Sequence, residues 1–148
     1  MKAKDILQSK GGTIVSVVED ATIFEAATVL TKQKIGFLIV KNISGNVVGV
    51  LSERDVVQKC VCLKKESEKT SVRDIMTPKE KILAASEDDD IQSLMNTMTE
   101  KKIRHLPIFK GDQLCGIISI GDVIKNMLDA KDHEIKTLSA YVSGNYPG

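Results

Sequence analysis

The sequence predicts an α/β (α+β) chain made of two β-α-β-β-α repeats related by pseudo-twofold symmetry. The first observation behind this is an internal repeat. Thr22 to Val57 reads TIFEAATVLTKQKIGFLIVKNISGNVVGVLSERDVV, and Asp90 to Ile124 reads DIQSLMNTMTEKKIRHLPIFKGDQLCGIISIGDVI. The helical halves align at an offset of 68, pairing Ile23 with Ile91, Ala26 with Leu94, Ala27 with Met95, Leu30 with Met98 and Ile35 with Ile103. One residue is lost in the following loop, and at an offset of 67 Gly49 pairs with Gly116, Ser52 with Ser119 and Asp55 with Asp122. The second observation is that helical spacing gives way to two short apolar strands at the same place in both copies. The third is size: 148 residues suit one domain, and a repeat of about 60 residues buries too little surface to stand alone. Two such units are expected to cover each other's apolar faces.

The elements follow in order. Lys2 to Lys10 reads as a short opening helix broken by Gly11-Gly12, and Thr13 to Val18 as a brief strand. Thr22 and Glu25 form a capping box, a hydroxyl at the cap with a carboxylate three residues on. The helix they open places Ile23, Ala26, Ala27 and Leu30 on one face, and Gly36 follows its end. Phe37–Val40 and Val47–Leu51 read as strands around a turn at Asn42–Asn46, and Ser52 starts a helix ending near Cys60. Val61 to Ser71 is a charged, mobile-looking linker. Val72-Arg-Asp-Ile-Met-Thr-Pro78 mirrors Ala3-Lys-Asp-Ile-Leu-Gln-Ser9 and opens the second repeat with a helix ended by Pro78. A strand is expected at Ile82–Ala84. Glu87 to Asp90 places negative charge at the start of a helix with Ile91, Leu94, Met95 and Met98 inward. Leu106–Phe109 and Leu114–Ser119 read as strands, and Ile120–Ala130 as a helix with Val123, Ile124 and Met127 turned inward. Ile135, Leu138 and Tyr141/Val142 suit an amphipathic helix in the tail, and Asn145–Gly148 is expected to fray. The division is repeat 1 at 1–66, repeat 2 at 67–130 and a helical tail at 131–148.

Composition narrows the function classes. Twenty-one basic against 20 acidic residues leave a net charge of +1, which gives no reason to expect nucleic acid or an anionic membrane as a partner. No apolar run approaches the roughly 18 residues of a membrane span. The polar start MKAKDILQSKGG lacks the apolar core of a secretion signal, so a cytoplasmic location is expected. Three cysteines then read as free thiols in a reducing compartment. With three Phe, two Tyr and no Trp, the core must come from Ile, Val, Leu, Met and Ala.

Four phrases carry a family pattern: Gly49-Val-Leu-Ser-Glu-Arg-Asp55, Gly116-Ile-Ile-Ser-Ile-Gly-Asp122, Ile103-Arg-His-Leu-Pro-Ile108 and Val72-Arg-Asp-Ile-Met76. On these the chain resembles a tandem CBS-domain module, the cystathionine-β-synthase repeat pair, over nearly its whole length. It is closest to small stand-alone CBS-pair proteins. The resemblance implies a CBS-domain pair fold and a regulatory module that binds adenosine-containing ligands (AMP, ADP, ATP, NAD(H) or S-adenosylmethionine) in two clefts between the repeats. It also implies a homodimer.

The residues can be read from their chemistry as well. Ser52 with Asp55, and Ser119 with Asp122, sit where a strand feeds a helix. One reading is a capping box that only starts the helix. The other is a carboxylate accepting two hydrogen bonds from the vicinal diol of a ribose, with the serine reaching a ribose or α-phosphate oxygen. The two are compatible. Gly49 and Gly116 mark either a bulge or close approach of a flat ring. By resemblance, Ile14, Val15, Ile35, Gly36 and Phe37 form one candidate set for an adenine pocket, and Ile82, Leu83, Arg104, His105 and Leu106 the other. Each of these could equally be core.

Phosphates need cations. Arg54 stands beside Asp55 where repeat two has Gly121. Lys101, Lys102, Arg104 and His105 stand where repeat one has Gln33, Lys34, Gly36 and Phe37. Arg73 is a further candidate. The two sites are therefore expected to differ in phosphate preference. Against catalysis, there is no GxSxG motif, no Walker-type loop and no base beside Asp88–Asp90. Two distant histidines give no compact metal site, and Cys115 reads as a small core residue. The expectation is a non-catalytic regulator with no prosthetic group, whose partners are an adenine nucleotide, a second copy of itself and a target protein. The alternatives are an interaction and dimerisation module with vestigial clefts, and a metal- or redox-responsive regulator using Cys60 and Cys62.

Overall fold

The computed structural model describes residues 1–11 and 14–143. Gly12 of the expected helix break, Thr13 of the expected strand, the side chain of Tyr141 and the tail Asn145–Gly148 lie outside the described residues. The elements are α1 Ala3–Lys10, β1 Ser16–Val18, α2 Ile23–Gln33, β2 Phe37–Lys41, β3 Val47–Ser52, α3 Glu53–Val56, a π-helical turn Val57–Val61, α4 Val72–Ile75, β4 Thr77–Pro78, a 3₁₀ turn Lys79–Lys81, β5 Ala85–Ser86, α5 Ile91–Lys101, β6 His105–Lys110, β7 Gln113–Ser119 and α6 Ile120–Ser143.

Two compact units result, and they cut across the sequence repeats. One joins α1 with everything described from Ala84 onward; the other is the stretch between, up to Leu83. Each opening helix thus packs with the body of the other repeat. The main chain shows how. Ala3 N–H donates to Asp89 O at 2.8 Å, Lys4 N–H to Glu87 O at 2.9 Å, and Ile91 N–H to Met1 O at 3.0 Å. In the other unit Val72 N–H donates to Ala21 O at 2.8 Å, Arg73 N–H to Glu19 O at 3.0 Å, and Ile23 N–H to Thr70 O at 2.8 Å. The first-turn donors of each long helix, which have no partner within their own helix, are met by the neighbouring segment.

In the unit ending at Leu83, a four-stranded sheet runs β1-β2-β3-β4, with β1 parallel to β2 and the other pairs antiparallel. Its core gathers Ile23, Ala26, Leu30, Leu38, Val40, Leu51, Cys60, Val72 and Ile75. The other unit has a three-stranded sheet β5-β6-β7 and a core of Ala3, Ile6, Leu94, Met98, Leu106, Ile108, Ile118 and Val123. Alternation in β2 and β6 sends one face inward against the amphipathic helix that precedes the strand. The capping boxes form as the spacing predicts: Thr22 Oγ1 accepts from Glu25 N–H at 3.1 Å. Asp90 caps α5, accepting from Ser93 N–H at 2.7 Å.

Several elements differ from the sequence reading. Ile82–Ala84 is not a strand; the strand is Ala85–Ser86, because its register is set by Ile108 and Phe109 of β6. The helix at Val72 ends at Ile75, and Pro78 instead pairs with Gly49 at the sheet edge, where a missing N–H does no harm. The linker is tied down: Ser67 O and Thr70 O accept from the first turn of α2, and Thr70 Oγ1 donates to Glu66 O at 2.7 Å. The last helix and the amphipathic tail are one helix, α6, since nothing between Ala130 and Glu134 breaks it. Ile124 is exposed on it. Cys115 is also exposed, on an outward position of β7.

Candidate functional site

Each unit brings the predicted polar residues to one strand-to-helix junction. In the unit ending at Leu83, β3 feeds α3 through Ser52, whose extended backbone lets its hydroxyl accept from Asp55 N–H at 3.1 Å. Asp55 returns the bond, its Oδ2 accepting from Ser52 N–H at 3.1 Å. In the other unit β7 feeds α6 in the same way. Ser119 Oγ accepts from Asp122 N–H at 3.1 Å, and Asp122 Oδ2 accepts from Ser119 N–H at 2.8 Å. The capping role read from Ser-x-x-Asp is therefore real in both copies. Both carboxylates remain partly exposed, at 14% for Asp55 and 22% for Asp122, so capping leaves part of each open to solvent.

The residues that start β2 and β6 lie beside these junctions. Gly36 O accepts from Glu53 N–H at 3.0 Å, and Phe37 pairs with Ser52 across the sheet. Arg104 O accepts from Ile120 N–H at 2.8 Å, and His105 pairs with Ser119. Gly36, Phe37, Ser52, Arg54 and Asp55 thus share one end of their sheet, and Arg104, His105, Ser119 and Asp122 share the matching end of theirs. A β carbon at Gly36 would meet the Glu53 carboxylate at 3.4–3.6 Å, ordinary contact distance.

The apolar candidates spread out. Val15 O accepts from Ile39 N–H at 3.2 Å, and both Ile14 and Val15 are half-buried. Ile35 packs against the core of its unit, while Leu106 is fully buried inside the other and lines no open surface. Ile82 and Leu83 fall in the unit that ends at Leu83, not with Arg104–Leu106, and Leu83 is exposed. Arg73 Nε and Nη2 both donate to Glu19 Oε1, at 3.3 and 2.9 Å, and Nη2 also to Asp20; hydrogen bonding, from Glu19 first, holds its guanidinium above the ordinary value. It fastens α4 to the turn after β1.

Each carboxylate also has a lysine, which the sequence reading missed. Lys10 Nζ lies 2.8 Å from Asp122 Oδ2 and donates to Ile117 O at 2.9 Å. Lys59 Nζ lies 2.9 Å from Asp55 Oδ1 and donates to Ile75 O at 3.3 Å. Burial pushes the Asp122 carboxyl up. The Lys10 ammonium and the backbone and hydroxyl of Ser119 outweigh that and hold it below the ordinary carboxylate range. Lys59 follows Asp55 by four residues, a spacing that could have been read from the sequence; Lys10 is 112 positions away, and no local pattern signals it.

The arrangement has hydrogen-bond donors, acceptors and charge. Among the described residues there is no group of three or more His, Cys, Asp or Glu that could hold a metal ion. No helix among them is long and apolar enough to cross a membrane.

Comparison with known proteins matches this geometry twice over. The CBS domain model matches residues 3–61 and again 72–129. A mitochondrial CBS domain-containing protein of Arabidopsis thaliana is 30% identical over 96% of this chain and 72% of its own length. A crystal structure of a CBS-domain containing protein from Agrobacterium tumefaciens is 36% identical, covers 86% of this chain and 99% of its own, and superposes with a TM-score of 0.79. A CBS domain protein of Pyrobaculum aerophilum complexed with AMP is 26% identical, covers 82% and 89%, and superposes with a TM-score of 0.71.

Proposed function

The chain belongs to the CBS-domain family and carries the domain twice, and from that premise we propose that it is a non-catalytic sensor of an adenosine-containing ligand: AMP, ADP, ATP, NAD(H) or S-adenosylmethionine. One observation carries the reading: two strand-to-helix junctions in register, each presenting a partly exposed aspartate with its serine, Ser52–Asp55 and Ser119–Asp122. A carboxylate in this position accepts a vicinal diol through charge-assisted bonds. Gly36 and Phe37, with Ile14, Val15 and Ile35, are the proposed surroundings of base and phosphate at one junction, and Arg104 and His105 those at the other. The relative from P. aerophilum, complexed with AMP, supports the ligand class. Binding energy from sugar and phosphate would shift a conformational equilibrium that a target protein reads.

Isothermal titration with AMP, ATP, NADH and S-adenosylmethionine tests this. Asp55→Ala and Asp122→Ala are each expected to remove one binding event while the protein stays folded by circular dichroism. Binding that survives both substitutions, or no binding of any of the four by the wild type, rejects the reading.

A second reading, a dimerisation and interaction module, is favoured by the surface of α6. Leu128, Ile135, Leu138 and Val142 are all exposed along it, at a spacing that keeps them on one stripe. A homodimer by sedimentation velocity that dissociates in Ile135→Ser/Leu138→Ser, with no nucleotide bound by either protein, would favour it.

A further inference from the structure

In both units the aspartate is already paired with a lysine that also donates to a main-chain carbonyl, on Oδ2 of Asp122 and on Oδ1 of Asp55. Lys10 bridges Asp122 and the carbonyl of Ile117. Lys59 bridges Asp55 and the carbonyl of Ile75. The repeat does not explain this likeness. By alignment the counterpart of Lys59 is Asn126, whose amide instead donates to Asp122 O at 2.7 Å, and the counterpart of Lys10 is Lys79 on the 3₁₀ turn. The two units thus place an ammonium on the carboxylate from unrelated positions.

Lys10 ends α1, its side chain is 38% exposed, and its four-carbon stem is flexible. Its bond to Asp122 falls on Oδ2, the oxygen that also accepts from Ser119 N–H. A neutral diol approaching this carboxylate meets an acceptor whose charge is already balanced. A diol that grips both carboxylate oxygens must compete with the ammonium for Oδ2, and a displaced ammonium then needs a new anion. A ligand that carries its own phosphate supplies one; a nucleoside without phosphate does not.

We propose that Lys10 is a tethered counter-ion gating the Asp122 site, so that the site admits adenine nucleotides bearing phosphate and discriminates against adenosine compounds that lack it. This rests on the nucleotide reading above and adds to it a selectivity residue on the opening helix. Removing the ammonium should act in opposite directions on the two ligand classes. AMP loses a cation and binds more weakly, whereas adenosine no longer has to displace a competitor and binds more tightly.

The test is calorimetry of the full chain with AMP and with adenosine, for the wild type, Lys10→Met and Lys10→Gln. The second substitution guards against a folding defect in the first, and thermal melts confirm the fold of both. The expected result is a wild-type preference for AMP that shrinks by roughly tenfold or more in both variants at one of the binding events, the size of one charge-assisted hydrogen bond. Adenosine binding that appears only once Lys10 is replaced also supports the gate. An AMP-to-adenosine ratio unchanged in both variants overturns the gate and leaves the nucleotide reading standing. No binding of either ligand by any of the three proteins overturns both.

Discussion

Leu7 of α1 lies directly over Gly116 of β7: a β carbon added at Gly116 would sit 2.7 Å from Leu7 Cδ2. The matching glycine, Gly49, is covered differently, by Thr77 O at 2.6 Å and Met76 Sδ at 2.7 Å. A leucine methyl at the end of a side chain can turn aside; a strand carbonyl paired across the sheet cannot. Gly49→Ala is therefore expected to destabilise by about 2–3 kcal/mol and Gly116→Ala by about 1 kcal/mol, within the range for overpacking. Urea unfolding of both variants checks the order, and equal losses would remove the distinction.

The exchange of opening helices predicts where core damage shows. Ile6 belongs to the core with Leu94, Met98 and Ile118, and Ile75 to the core with Ile23, Leu38 and Leu51. Each substitution to Ala should cost about 2–4 kcal/mol. In Ile6→Ala, amide hydrogen exchange should rise first in α5 and β6; in Ile75→Ala, first in α2 and β2. Loss of protection following the sequence repeats instead would contradict the packing.

Asp122 makes stability depend on pH in one direction. Its carboxyl is held below its ordinary value in the folded chain. The stabilisation is therefore fully present above the unfolded value of about 3.9 and is lost as the pH falls through the lower, folded value. The stability gap between wild type and Asp122→Asn should be constant from pH 7 to about pH 5 and narrow below about pH 4. Denaturant midpoints across that range test it; a gap that widens in acid would reverse the sign.

Lys34 ends α2 at φ 55°, a left-handed position where most side chains are strained. Lys34→Gly should raise stability by about 0.5 kcal/mol, the relief of strain less the extra freedom of glycine in the unfolded chain. A lower midpoint would show that the lysine makes a compensating contact.

The features legible in the sequence were those whose cause is local. Thr22 and Glu25 lie three residues apart and cap α2 as their spacing dictates. Ser52–Asp55 and Ser119–Asp122 do the same at the candidate site. What escaped has causes far along the chain. The short strand Ala85–Ser86 takes its register from Ile108 and Phe109, so its own residues could not place it. The π-helical turn at Val57–Val61 lets the buried Cys60 thiol donate to Lys65 O at 3.5 Å, a fit to tertiary surroundings with no sequence period. Lys10 reaches Asp122 only because α1 packs on β7.

That docking sets an order of events during synthesis. α1 finds its berth on β7, which is made much later: Leu7 must wait for Gly116. At roughly 5–20 residues per second, Ile6 and Leu7 stay uncovered for about 5–20 s after they appear. During that interval these two apolar side chains of an otherwise polar segment lack their partners, and it is there that a chaperone would have something to hold.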